Sequence, residues 1–145
     1  MTTTGTPRVQ LENEFVTLWY HPAGKIVHHK IHKPVTGALF REALERGVEI
    51  FERHGAQKWL SDDRGNGALH PDDSNWATTV WSPRVVAAGW AYWAIVLPDA
   101  ALGRVNMKRF VNIYSDMGVS VRIYSTPEEA LVWLRRPETA DPPAP

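Results

Sequence analysis

The chain has 145 residues, of which 16 are basic and 16 acidic, with seven tryptophans and no cysteine. That length fits one domain around one core. The cancelling charge supplies no long-range field for nucleic acid or an anionic membrane, and the missing thiols exclude disulfides, thiolate metal sites and thiol catalysis. The start of the chain lacks the charged-then-apolar pattern of a signal peptide, and the apolar run near Trp93 is too short to cross a bilayer. A cytoplasmic protein is therefore expected, with neither nucleic acid nor membrane among its partners.

Residues 1–11 are expected to be flexible, 12–135 to form the domain, and 136–145 to be a disordered tail, since four prolines fall within 137–145. Residues 15–32 read as a β-hairpin: two alternating runs flank Pro22-Ala23-Gly24-Lys25, a turn with a φ-fixing proline and a permissive glycine. Val16, Leu18, Tyr20, Val27, His29 and Ile31 then share the core face, with His29 expected as a hydrogen-bonded core histidine. Phe15, Thr17, Trp19, His21, Ile26, His28, Lys30 and His32 share the other, expected to be a solvated or partner-facing surface. Phe15, Trp19, Ile26 and His28 on it suggest a homodimer interface. His21, His28 and His32 lie on this face too, but Lys30 between the last two repels a cation, so no metal is expected there.

Thr36 is placed to cap a helix running to His54, with Phe40, Leu44, Gly47 and Phe51 inward and Gly55 closing it in the left-handed conformation. Residues 57–61 form a short strand leading into Ser61-Asp62-Asp63-Arg64. A helical region starts at Pro71-Asp72-Asp73-Ser74, with a break expected at Pro83. Residues 91–97 are apolar almost without interruption, as in a parallel strand covered on both faces. A helix follows from Pro98-Asp99 to Met117, where Gly118 closes it, and its apolar stripe of Leu102, Phe110, Ile113 and Met117 includes Asn106, a polar group that needs a partner. Residues 120–124 are the last strand. Thr126-Pro127-Glu128-Glu129 is a strong helix start, and Ala130, Leu131, Trp133 and Leu134 supply that helix's apolar part. Strands alternating with helices after a hairpin imply an α/β fold whose sheet becomes parallel.

Three segments carry a family resemblance: Trp93-Ala94-Ile95-Val96-Leu97-Pro98, Asn106-Met107-Lys108-Arg109-Phe110, and Val119-Ser120-Val121-Arg122-Ile123-Tyr124 followed by Pro127-Glu128-Glu129-Ala130-Leu131-Val132-Trp133-Leu134. In these motifs, over about residues 90–134, and in element order over 12–135, the chain resembles the SpoIIAA-like branch of the STAS fold, small α/β proteins related in shape to anti-sigma-factor antagonists. The resemblance implies a STAS-like sandwich and a non-enzymatic regulatory role. It also makes Ser74 the nearest match to the serine those antagonists phosphorylate, although their Asp-Ser-Ser-Gly type pattern is absent here.

Five tryptophans fall within 58–98, around the Asp62-Asp63-Arg64 turn. Trp59 and Trp93, in strands, are expected in the core, and Trp90 is open to either role. Trp76 and Trp81 are expected at a surface or cleft beside Asp62, Asp63 and His70, where open α/β sheets hold ligands. The expected ligand or partner corner is thus Asp62, Asp63, Arg64, His70, Trp76, Trp81 and Asn106, with no cofactor. Its occupant is a protein or a small apolar ligand. The alternatives are a small hydrolase using Asp62, Asp63 and His70, or a purely structural subunit. No nucleophile elbow, phosphate-binding loop or dinucleotide fingerprint is present.

Overall fold

The computed structural model describes residues 6–137. They form a six-stranded mixed sheet in which the strands lie in chain order, flanked by five helices. The strands are β1 (Arg8–Glu12), β2 (Val16–His21), β3 (Ile26–Ile31), β4 (Lys58–Asp62), β5 (Tyr92–Val96) and β6 (Ser120–Tyr124). The pairs β1·β2 and β2·β3 are antiparallel, and the remaining pairs are parallel. Val16 opposes Ile31 and His21 opposes Ile26, the register the hairpin pattern implies, and Gly24 and Lys25 take positive φ in the turn.

The first strand is a correction. Residues 8–11 were expected to be flexible, yet Arg8-Val9-Gln10-Leu11-Glu12 alternates polar and apolar and pairs along β2, with an irregularity between Val9 and Leu11. Residues 1–5, and 138–145 of the expected tail, lie outside the described residues.

Helix α1 (Ala38–His54) packs on β1 to β3, with Phe40, Leu44, Gly47 and Phe51 buried as the periodicity requires. Gly55 closes it at φ 66°. The residue before it is not the expected cap: Gly37 occupies that position, and Asp73 Oδ2 accepts the Gly37 N–H at 2.9 Å, so a distant carboxylate replaces the Thr36 hydroxyl.

No break occurs at Pro83. Helix α2 (Pro71–Trp76) passes through a π-helical turn (Ala77–Trp81) into α3 (Ser82–Ala87). A proline cannot donate to the carbonyl four residues back, and widening the preceding turn absorbs that loss. The hydroxyls of Thr78, Thr79 and Ser82 bond back to the carbonyls of Ser74, Asn75 and Thr78, which satisfies acceptors along the bend.

Helix α4 (Ala101–Asp116) is rotated from its expected stripe. Gly103, Met107, Phe110 and Tyr114 are buried, whereas Leu102 is 73% exposed and Met117 40%. Helix α5 (Pro127–Leu134) begins as the sequence indicates, with Thr126 Oγ1 accepting the Glu129 N–H at 3.2 Å.

Strand alternation divides the core into two layers. Val16, Leu18, Val27, Trp59, Trp93 and Ile95 meet α1 and α4 on one face of the sheet. Ile26, Leu60, Ala94 and Val96 meet Ala130, Trp133 and Leu134 of α5 on the other. Each fully buried Leu or Ile of these layers stabilises the fold by about 1.5–3 kcal/mol.

Candidate functional site

The first face of the sheet carries an aromatic layer. Trp59 and Trp93 stand side by side on β4 and β5, and Trp90 lies 5.6 Å from Trp93, 5.5 Å from Trp81 and 5.0 Å from Tyr114 between ring centroids. These contacts are mostly edge-to-face, the arrangement ring quadrupoles favour. Trp81, expected at a surface or cleft, is buried, and its indole N–H donates to the Leu44 carbonyl at 2.9 Å. Trp90 is also core. Trp76 is half-buried, and the Arg41 guanidinium lies 5.4 Å from its ring centroid.

Between this layer and α1 and α4 lies a cavity. Its volume, counted as the space open to the centres of water-sized molecules, is about 60 Å³. Phe40, Leu44, Trp81, Trp93, Met107 and Phe110 make most of its wall apolar. His29, Ser61, Asp63, Asn66 and Tyr114 bring polar groups to the lining.

Those polar groups are held by two indole donors and by tight backbone packing. Trp59 Nε1 donates to His29 Nδ1 at 3.0 Å, and His29 Nε2 bonds Asp63 Oδ1 at 2.7 Å. Trp93 Nε1 donates to Ser61 Oγ at 2.8 Å. Gly65, just after Asp63, must lack a side chain: a Cβ there would sit 2.5 Å from the Ile31 carbonyl oxygen. Gly103 meets the same loop, since its Cβ would lie 3.1 Å from the Gly67 carbonyl carbon. The loop carrying Asp63 and Asn66 is thus pinned between β3 and α4. Burial raises the pKa of the Tyr114 phenol.

The expected corner does not assemble. Asp62 and Asp63 point to opposite faces because they are successive residues of an extended segment. Asp62 forms a two-pronged pair with Arg64, at 2.9 Å to Nε and 2.7 Å to Nη2, and stays charged more readily than an ordinary carboxylate because the guanidinium outweighs its burial. Asp63 turns into the cavity with His29. His70 is exposed and caps α2, its Nδ1 accepting the Asp72 N–H at 3.1 Å. The three residues expected for a hydrolase are therefore in three different settings.

Asn106 does what its position demanded, since its Oδ1 accepts the Leu69 N–H at 3.0 Å and ties α4 to the loop before α2. Ser74 is not at the free end of a helix. His70 is the cap residue, and the Ser74 N–H already donates to the His70 carbonyl at 2.9 Å, so the Ser74 amide itself is not free to meet a phosphate. Ser74 instead lines a shallow polar concavity with Pro71, Asn75, Thr78, Asn106 and Arg109.

The outer face of the hairpin is also corrected. Ile26 is fully buried under α5, and His28 is buried, which removes both from the surface expected for a dimer; Phe15 and Trp19 remain half-buried. Thr17, His21, Ile26 and His28 are buried, with His21 Nε2 and His28 Nδ1 3.0 Å apart, so this part of the face is packed rather than solvated, while exposed His32 sits at its edge with Nε2 2.8 Å from the Thr17 hydroxyl. Among the described residues no group of three metal-ligating side chains comes together.

Two residues central to the structure were missed by sequence reasoning. Asp73 is buried, accepting from Gly37 and from Arg41 Nε at 3.0 Å, and looks in sequence like one more capping acid. Asn66 sits in a polar loop, where nothing local marks it as a cavity residue. No protein-family model, curated protein or solved structure matches the chain. No helix among the described residues is long and apolar enough to cross a membrane.

Proposed function

We propose that this chain is a STAS-like, non-enzymatic binding module that takes a small, largely apolar ligand into the cavity between its sheet and helices α1 and α4. The observation that carries this reading is the cavity itself: an apolar aromatic wall with a few convergent polar groups, pinned in place by Gly65 and Gly103. Element order, a hairpin followed by alternating helices and parallel strands, supports the STAS-like assignment.

Binding is favoured over catalysis by the state of the only histidine in the lining. Both ring nitrogens of His29 are engaged, one by Trp59 and one by Asp63, so the ring has no free nitrogen to take a proton from a substrate. A purely structural subunit would have no use for a polar-edged cavity behind four tryptophans.

Those tryptophans make the test direct. Titrating the protein with 2-phenylethanol should shift its intrinsic fluorescence, because Trp59, Trp81, Trp90 and Trp93 line the space the ligand enters. Ala77→Phe and Ala43→Leu each place bulk in the lining and should abolish the shift while leaving a cooperative thermal transition. Unchanged titration in both folded variants would place the ligand elsewhere and sink the reading.

A further inference from the structure

The charge inside the cavity narrows the ligand further, on the reading that the cavity binds one at all. An indole N–H can only donate, so its bond to His29 Nδ1 means that this nitrogen carries no proton. The His29 proton is therefore on Nε2, where it is donated to Asp63 Oδ1, and the ring is neutral. Asp63 is 3% exposed, and its one side-chain partner among the described residues is this neutral ring.

Among the described residues no lysine or arginine forms an ion pair with it. Arg64, the neighbour in sequence, is turned to the opposite face and bonded to Asp62. Lys30 and Lys58, the basic residues of β3 and β4, also project from that opposite face, because they alternate with His29 and Trp59. A carboxylate away from water is costly unless it is paired. The aromatic side chains in the lining, Phe40, Trp81, Trp93, Phe110 and Tyr114, also suit a cation, since aromatic ring faces attract cations through their quadrupoles.

We infer that the cavity is a site for a small organic ammonium ion with a compact apolar body, its cationic head on the Asp63 carboxylate and its body against the tryptophan wall. Ser61 and Asn66 complete the polar end, offering oxygen acceptors to ammonium protons that Asp63 does not take. The same geometry disfavours anionic ligands such as fatty acids, whose carboxylate would face that of Asp63.

Three compounds with matched bodies test the assignment on the intact protein: 2-phenylethylamine, 2-phenylethanol and phenylacetate, followed by tryptophan fluorescence and calorimetry near neutral pH. The amine should bind at least about tenfold tighter than the alcohol, and phenylacetate weakest of the three. Asp63→Asn should bring amine and alcohol to similar affinity by weakening only the amine. Equal or better binding of the alcohol by the unaltered protein would overturn the ammonium assignment and leave the cavity reading standing, whereas no binding of any compound would overturn both. An amine preference that survives Asp63→Asn would also overturn it. If that variant does not fold, the comparison among the three compounds on the unaltered protein still decides.

Discussion

His21 and His28 are buried on the outer layer of the sheet with one nitrogen each, His21 Nδ1 and His28 Nε2, lacking a hydrogen-bond partner among the described residues. Burial is the largest influence on both. It lowers His28 to about 3, helped by His21, His29 and Lys30 and opposed by Asp62, and lowers His21 to about 4, helped by Arg135. The unfolded chain, with ordinary histidines, takes up these protons first. The neutral pair therefore gives its full contribution above about pH 6.5, and stability should fall as the pH drops from there towards 3. Urea unfolding midpoints measured across that range should decline, and His28→Phe should flatten the decline; an equally steep profile in a folded variant would remove His28 as its source. The cavity histidine differs because both of its nitrogens are bonded. Alternation placed His29 inward from the sequence alone, but its partner is 34 residues away, and no local pattern names it.

At the scale of elements, α1 is held at its distance from the sheet by one glycine. A Cβ on Gly47 would lie 2.1 Å from the Trp59 ring, so the helix approaches β4 closely enough that only a bare backbone fits. In an exposed helix Gly→Ala gains up to about 1 kcal/mol of helix propensity. Here it must displace a fully buried indole that also donates to His29, so Gly47→Ala should instead destabilise the protein by about 1–3 kcal/mol net of that gain and loosen the His29–Asp63 pair. Chemical denaturation and the tryptophan emission maximum would check both effects; a stabilised variant would refute the steric account. Helix existence and periodicity were legible because Phe40, Leu44, Gly47 and Phe51 fall on one stripe. The α4 stripe misled, since Leu102, Phe110, Ile113 and Met117 are apolar enough to read as a face, yet Gly103 and Met107 are the residues that meet the loop and the cavity. The π turn before Pro83 was hidden for a related reason: a proline signals a lost hydrogen bond, but whether the helix stops or widens depends on what packs against Trp81.

Across the whole molecule the sheet separates two unequal cores. The larger holds the aromatic layer and the cavity, and the smaller rests on α5 through Trp133, which is 4% exposed against Tyr92 and Tyr124. Trp133→Ala should cost about 3–5 kcal/mol by opening a void over Leu60 and Ala94, while leaving ligand binding on the opposite face close to unchanged in whatever fraction stays folded. Denaturant melts combined with titration would separate the two, and a variant that lost binding while remaining folded would show that the layers are coupled. The sequence by itself determined the order of strands and helices after residue 12, which hairpin residues share a face, the start of α5 and the partner-seeking role of Asn106. Those depend on periodicity, turn chemistry and capping within a few residues, and the same alternation in Arg8-Val9-Gln10-Leu11-Glu12 was there to be read as β1. Only the tertiary structure decided that Trp81 and Trp90 join the core, that Asp62 and Asp63 serve opposite layers, and that His29, Ser61, Asp63 and Asn66 meet at one cavity. The physical reason is that these outcomes rest on contacts between segments far apart in the chain, whose approach is set by close packing at Gly47, Gly65 and Gly103 rather than by local preference.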